Sequence, residues 1–162
     1  MTQIERPTLK RRLLSAIEAD PPRIPIVLGL GGSGRTTLLL ELQYELGNER
    51  SQYLDVEQAA TTPEHFLRSL TAKSPFNAKS EKTEFSEALS TREAFQEALR
   101  FLDRASHSPT NPDNIMLDEI LELRTFENFP GLRLVLNELI ETLRNSQNRF
   151  VLSTRYTTRA LR

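Results

Sequence analysis

The sequence predicts an α/β fold, a mainly parallel sheet between two helical layers, and three observations carry that expectation. Four short apolar runs, Ile24–Leu28, Gln52–Val56, Ile115–Leu117 and Phe150–Leu152, alternate with stretches of helical periodicity. Strands joined by crossover helices read this way. The first run is apolar throughout, as in parallel strands covered on both faces. No internal repeat and no linker divides the 162 residues, enough for one domain with a substantial core. The expected architecture is a three-layer α/β/α sandwich forming one domain, with an N-terminal helix and entry at 1–22 and the core at 23–162.

The elements follow in order. Leu9, Leu13, Leu14 and Ile17 recur at helical spacing within Thr8–Ala19, with Lys10, Arg11 and Arg12 outward. Asp20-Pro21-Pro22 ends that helix. After the first strand, Thr36–Leu46 reads as an amphipathic helix stopped at Gly47-Asn48. The second strand closes in Asp55-Val56-Glu57, and Thr62-Pro63 supplies an N-cap and first helical residue for Glu64–Leu70. Ala72–Leu89 is polar and reads as a loop or loosely packed insertion. Ser90-Thr91-Arg92-Glu93 is a capping box opening a helix that buries Phe95, Leu99 and Leu102. Turn-rich Ser106–Asn114 leads to the third strand. Leu132–Leu143 is helical, with a buried stripe of Leu132, Val135, Leu136, Leu139, Ile140 and Leu143, and the fourth strand follows.

Composition narrows the function classes. Apolar residues make 38% and charged residues 27% of the chain, an ordinary globular balance. A net charge of −1 argues against a global polyanion-binding surface and leaves room for a local basic patch. There is no cysteine, so disulfides and thiolate metal sites are excluded, and His65 and His107 make no convincing metal site. Met1–Ala19 is charged and amphipathic, and no stretch is apolar enough to span a bilayer. A cytoplasmic protein without membrane association is the expectation.

The most informative run is Gly29-Leu30-Gly31-Gly32-Ser33-Gly34-Arg35-Thr36, between the first strand and the helix that includes Thr37. It matches G-x-x-x-x-G-K-[S/T] everywhere except Arg35, where lysine is expected. Glycines let the backbone N–H groups turn inward, and the helix N-terminus adds partial positive charge, which together cradle a polyphosphate. Gly29, Gly31, Gly32, Ser33, Gly34, Arg35, Thr36 and Thr37 are therefore the candidate nucleotide-binding residues.

Two further strands end in chemistry. Ile115-Met116-Leu117 delivers Asp118-Glu119 at the edge where α/β sheets place ligands. In a phosphoryl-transfer site Asp118 and Thr36 would hold Mg2+, and Glu119 would orient and deprotonate the attacking water. Phe150-Val151-Leu152 ends in Ser153-Thr154-Arg155. Strand alternation turns one hydroxyl inward, with Ser153 and Thr154 both open, and Arg155 has the fork geometry to pair with phosphate oxygens. Asp55 and Glu57 read as loop acids, Lys10, Arg11 and Arg12 as the wet face of a helix, and Arg149, Arg155, Arg159 and Arg162 as a locally basic C-terminus.

These motifs, in this order, resemble the additional-strand P-loop ATPases, AAA-like proteins with Walker A and Walker B motifs. Within them the chain is most similar to the signal-transduction ATPases with numerous domains (STAND). Gly29-Leu30-Gly31-Gly32-Ser33-Gly34-Arg35-Thr36-Thr37-Leu38 resembles their G-x-G-G-x-G-K-T-T-L loop, and Leu152-Ser153-Thr154-Arg155 their strand-terminal sensor. Arg6-Pro7-Thr8-Leu9 is similar to the segment before the loop in regulator-type members. The resemblance implies the P-loop NTPase fold with core strand order 1-4-3-2, a fifth strand beside strand 1 missing here, and a helical lid likewise missing. It also implies ATP and Mg2+ as cofactors, Thr36 and Asp118 on the metal, and Glu119, Arg155 and Thr154 as catalytic groups. The expected role is a slow ATPase acting as a nucleotide-driven switch in a larger regulatory protein, with a protein partner or self-assembly possible. The alternative is a non-hydrolysing nucleotide-binding module, its lysine replaced by Arg35. Nucleic acid is an unsupported partner, left open for a longer parent protein.

Overall fold

The structure, a computed structural model, describes residues 6–72, 74–78, 89–104, 110 and 112–160. The chain runs α1 (Arg6–Ile17), β1 (Ile26–Leu28), α2 (Arg35–Leu46), β2 (Ser51–Asp55), α3 (Val56–Ala59), α4 (Pro63–Ala72), α5 (Thr91–Asp103), β3 (Asn114–Asp118), α6 (Val135–Asn145), β4 (Arg149–Thr154) and α7 (Thr157–Ala160). Short 3-10 stretches lie at Pro75–Ala78 and Ile120–Asn128.

The four strands form one parallel sheet in the order β1-β4-β3-β2. Its register pairs Leu28 with Thr154, Leu117 with Leu152, and Asp55 with Asp118. The C-terminal ends of all four strands therefore meet along one edge. Alternation sorts the side chains onto two faces. Val27, Met116 and Val151 pack under α1 and α2 with Leu13, Ile17, Leu38, Leu39 and Leu42. Leu54, Ile115, Leu117, Phe150 and Leu152 face the opposite layer of α4, α5 and α6. This is the three-layer α/β/α sandwich with core order 1-4-3-2.

Several local expectations are refined. The first strand is shorter than Ile24–Leu28 and is not covered on both faces. It pairs only with β4 among the described residues, and only Val27 meets the α1–α2 layer, leaving Ile26 48% and Leu28 38% exposed. Leu132 is buried as expected but precedes the helix. Two left-handed residues, Gly131 at φ 79° and Leu134 at φ 53°, break the chain before the helix starts at Val135. The Ser90 capping box forms with both reciprocal bonds. Within Ala72–Leu89, Pro75–Ala78 is a 3-10 turn, and 79–88 lie outside the described residues. So do most of Ser106–Asn114, including His107, and Arg162.

Two elements had no counterpart in the sequence reading. One is α3, whose N-cap Asp55 accepts from the Gln58 N–H. The other is the 3-10 stretch after Glu119, which buries Ile120, Leu123 and Phe126 at a period of three. Phe126 meets Phe66, Phe95 and Phe129 edge-to-face at 5.8, 6.0 and 6.3 Å.

Candidate phosphate-binding site

The loop leaves β1 and turns twice through left-handed glycines, Gly32 at φ 78° and Gly34 at φ 84°. A Cβ on Gly34 would also lie 2.5 Å from Nη2 of Arg6, the end of a flexible side chain that could swing aside, so the left-handed φ is what disfavours a side chain there. Gly31 and Gly32 face open space, with nothing within 4 Å of an added Cβ. Gly34 also precedes α2 and gives it no side-chain cap. The first-turn N–H groups of a 12-residue helix thus open under a glycine loop, a polar donor set with a dipole that favours an anion. Ser33 and Thr37 are exposed beside them.

Arg35 is the first residue of α2, and its guanidinium turns inward. Its Nη2 donates to Oε1 of Glu119 at 2.5 Å, with both side chains only 9% exposed. Its Nε and Nη1 are buried without a hydrogen-bond partner. Such orphaned donors are costly away from water and readily take an acceptor.

The parallel register carries Asp118 and Glu119 to the same edge. Oδ2 of Asp118 accepts from Thr36 Oγ1 at 2.6 Å and from Tyr53 Oη at 2.9 Å, and Oδ1 accepts from Ser153 Oγ. Burial, and then the bond to Asp118, push the Tyr53 phenol above its ordinary value. Glu119 stands at φ 56°, the left-handed region where a non-glycine residue is strained. That turn aims its carboxylate back at the site. Oε1 takes Arg35, Oε2 accepts the Arg155 N–H at 3.0 Å, and the Glu119 N–H donates to Ser153 Oγ at 3.4 Å.

Of the two hydroxyls left open by the sequence, the structure brings Ser153 to the acid pair. Ser153 shares its strand face with Val151, under α2, whereas Thr154 faces the other way and accepts the Tyr156 N–H at 3.1 Å. Thr154 is not brought to Asp118 or Glu119, because alternation allows only one of the pair inward. The Arg155 guanidinium is engaged elsewhere: it donates to Glu57 at 2.9 and 2.7 Å and to Glu122 at 3.0 Å, beside the Tyr156 ring. The bond to Glu57 raises the Arg155 pKa, and the bond to Arg155 holds Glu57 below the usual carboxylate range. Glu57, read as a loop acid, is thus a partner of Arg155. His65 is structural, with Nδ1 3.0 Å from the Ala59 carbonyl.

Sequence reasoning passed over Tyr53 and Glu122, and marked Arg6 only as part of the segment before the loop. For Tyr53 a signal existed: it stands two residues before Asp55, on the same strand face. Nothing local marks Glu122.

A phosphate chain fits the open loop and the orphaned Arg35 nitrogens. Mg2+ fits the oxygens of Thr36 and Asp118. Among the described residues no group of three or more His, Cys, Asp and Glu side chains could hold a metal by itself. Magnesium commonly completes its shell with waters and substrate phosphates.

No protein-family model matches the sequence, and no curated protein matches it. Among solved structures, the chain is similar to the Walker-type ATPase PABY2304 of Pyrococcus abyssi, at 21% identity and a TM-score of 0.61. The match covers 94% of this chain and 45% of that one, so the chain spans less than half of that protein's length. At this identity the likeness speaks for the fold, and the chain has the fold of a P-loop NTPase. No described helix is long and apolar enough to cross a membrane.

Proposed function

We propose that this chain is an ATP-binding P-loop domain, a slow Mg2+-dependent ATPase that works as a nucleotide-driven switch within a larger regulatory protein. One observation carries the reading. A glycine loop opens onto an uncapped helix N-terminus, beside a buried arginine with two unpartnered nitrogens. Backbone N–H groups from Gly29 to Thr37 wrap the phosphates, Ser33 giving up its turn bond to the Leu30 carbonyl to join them, and Arg35 pairs with their oxygens. Thr36 and Asp118 hold Mg2+, which when bound offsets charge on the β- and γ-phosphates. Glu119 accepts the proton of the attacking water, oriented by the Arg155 N–H and backed by Ser153. The Arg155 guanidinium reaches a γ-phosphate only once Glu57 and Glu122 release it, which suits a switch that couples the nucleotide to α3 and the 3-10 stretch. The STAND-like branch, adenine preference and self-assembly rest on the motif resemblance.

A second reading, a nucleotide-binding module without turnover, is favoured by the pairing of Arg35 with the very carboxylate that would act as base. Calorimetric titration of Mg-ATP into the chain and into Arg35→Ala tests binding, with saturable binding that weakens in the variant expected. Phosphate release then separates the readings: Glu119→Gln abolishes it if the domain is catalytic, whereas equal rates leave only the binding module. No binding by a folded chain refutes both.

A further inference from the structure

We propose that Tyr53 is a positioning residue of the metal–nucleotide site, holding Asp118 through its hydroxyl and accepting a hydrogen bond from a metal-bound water. The proposal rests on the reading of this site as one for Mg2+ and nucleotide.

Tyr53 lies on β2 opposite Met116 of β3, and Asp55 of the same strand pairs with Asp118. Alternation puts Tyr53, Met116 and Asp118 on one face. The Tyr53 ring packs against the α1–α2 cluster, so its direction is set by the core rather than by solvent. From there the hydroxyl reaches Asp118 Oδ2 at 2.9 Å, the same oxygen that Thr36 Oγ1 reaches at 2.6 Å. Ser153 supplies a third hydroxyl, on Oδ1.

Asp118 is 2% exposed, and among the described residues it has hydroxyl partners and no ion pair. A buried carboxylate held by neutral donors alone is poorly compensated and attracts a cation. Each hydroxyl has one proton to give, and two of them spend it on Oδ2. Their oxygen lone pairs stay free as acceptors. On Thr36, at the start of α2 beside the loop, those lone pairs suit direct ligation. On Tyr53, on the neighbouring strand, they suit the water shell that Mg2+ keeps. Outer partners of this kind set carboxylate orientation, and their loss commonly costs about 10- to 100-fold in metal affinity.

The test is Tyr53→Phe, which keeps the packed ring and deletes only the hydroxyl. ADP binding is measured calorimetrically with Mg2+ and with EDTA. The variant is expected to bind Mg-ADP about tenfold more weakly while metal-free ADP affinity stays within about twofold. Metal-free affinity doubles as the control for folding. The chain has three tyrosines and no tryptophan, so tyrosine emission gives a second readout. Adding Mg2+ to the ADP complex is expected to change the wild-type emission and to leave the variant's unchanged. Equal losses with and without metal, or no loss in either, overturn the role of Tyr53. Absence of ADP binding by the folded wild-type chain overturns the site reading itself, and this inference with it.

Discussion

Replacing Glu119 by Gln should tighten the binding of ADP. In the free protein Nε and Nη1 of Arg35 are unpartnered, but Nη2 is held 2.5 Å from Glu119 Oε1 with both side chains 9% exposed. Nε and Nη1 are buried, so a phosphate that draws the guanidinium toward the loop through them must pull Nη2 away from a buried carboxylate. Hydrogen bonds to a charged group contribute about 1.5–3 kcal/mol and neutral ones about 0.5–1.5 kcal/mol. Gln keeps an acceptor of the same length without its charge; the bond stays charge-assisted through Arg35, so the competition falls by about 1 kcal/mol, or about fivefold in Kd. ADP is the ligand of choice because it has no γ-phosphate to lose. A gain in its affinity is not the trapping that follows from stalled turnover. The assay is calorimetric titration of Mg-ADP into wild type and variant at fixed Mg2+. Unchanged or weaker ADP binding refutes the idea that the Arg35–Glu119 pair opposes the nucleotide.

Three other outcomes follow from the geometry. Arg35→Lys replaces a planar fork by a compact ammonium that follows a transferring phosphoryl group better, so phosphate release should rise; a fall would place the limit elsewhere. Phe126→Ala empties the centre of the edge-to-face aromatic cluster, where Phe126 is fully buried, and should cost about 3–5 kcal/mol in denaturant unfolding. The Glu57–Arg155 pair has a pH signature. Glu57 is held below its unfolded value by Arg155, so its contribution is present above the ordinary carboxylate range and is lost as pH falls through the lowered value. Melting temperatures between pH 3 and pH 7 should therefore drop less steeply at the acid end for Glu57→Gln than for wild type.

What the sequence disclosed and what it withheld divide by distance along the chain. The phosphate loop, the capping box at Ser90 and the acids after β3 are local signals, each readable within a few residues. The four apolar runs, separated by helical periodicity, were enough for the layers of the sandwich. The partners inside the site were not readable this way. Arg35 meets Glu119 across 84 positions, Arg155 meets Glu57 across 98, and Tyr53 meets Asp118 across 65. Those meetings depend on strand order and register. The same register decides between Ser153 and Thr154, because a shift of one residue exchanges their faces. Ile120–Asn128 escaped for another reason: its buried residues recur every third position, a period belonging to neither strand nor α-helix.

The central claim, that this loop cradles a nucleotide, is tested most directly by amide NMR of the 15N-labelled chain titrated with Mg-ATP. The account predicts saturable shifts concentrated on the backbone N–H groups of Gly31 to Thr37, with smaller ones at Glu119 and Arg155. A folded chain whose loop amides stay unmoved, or whose shifts lie away from the N-terminus of α2, would contradict it.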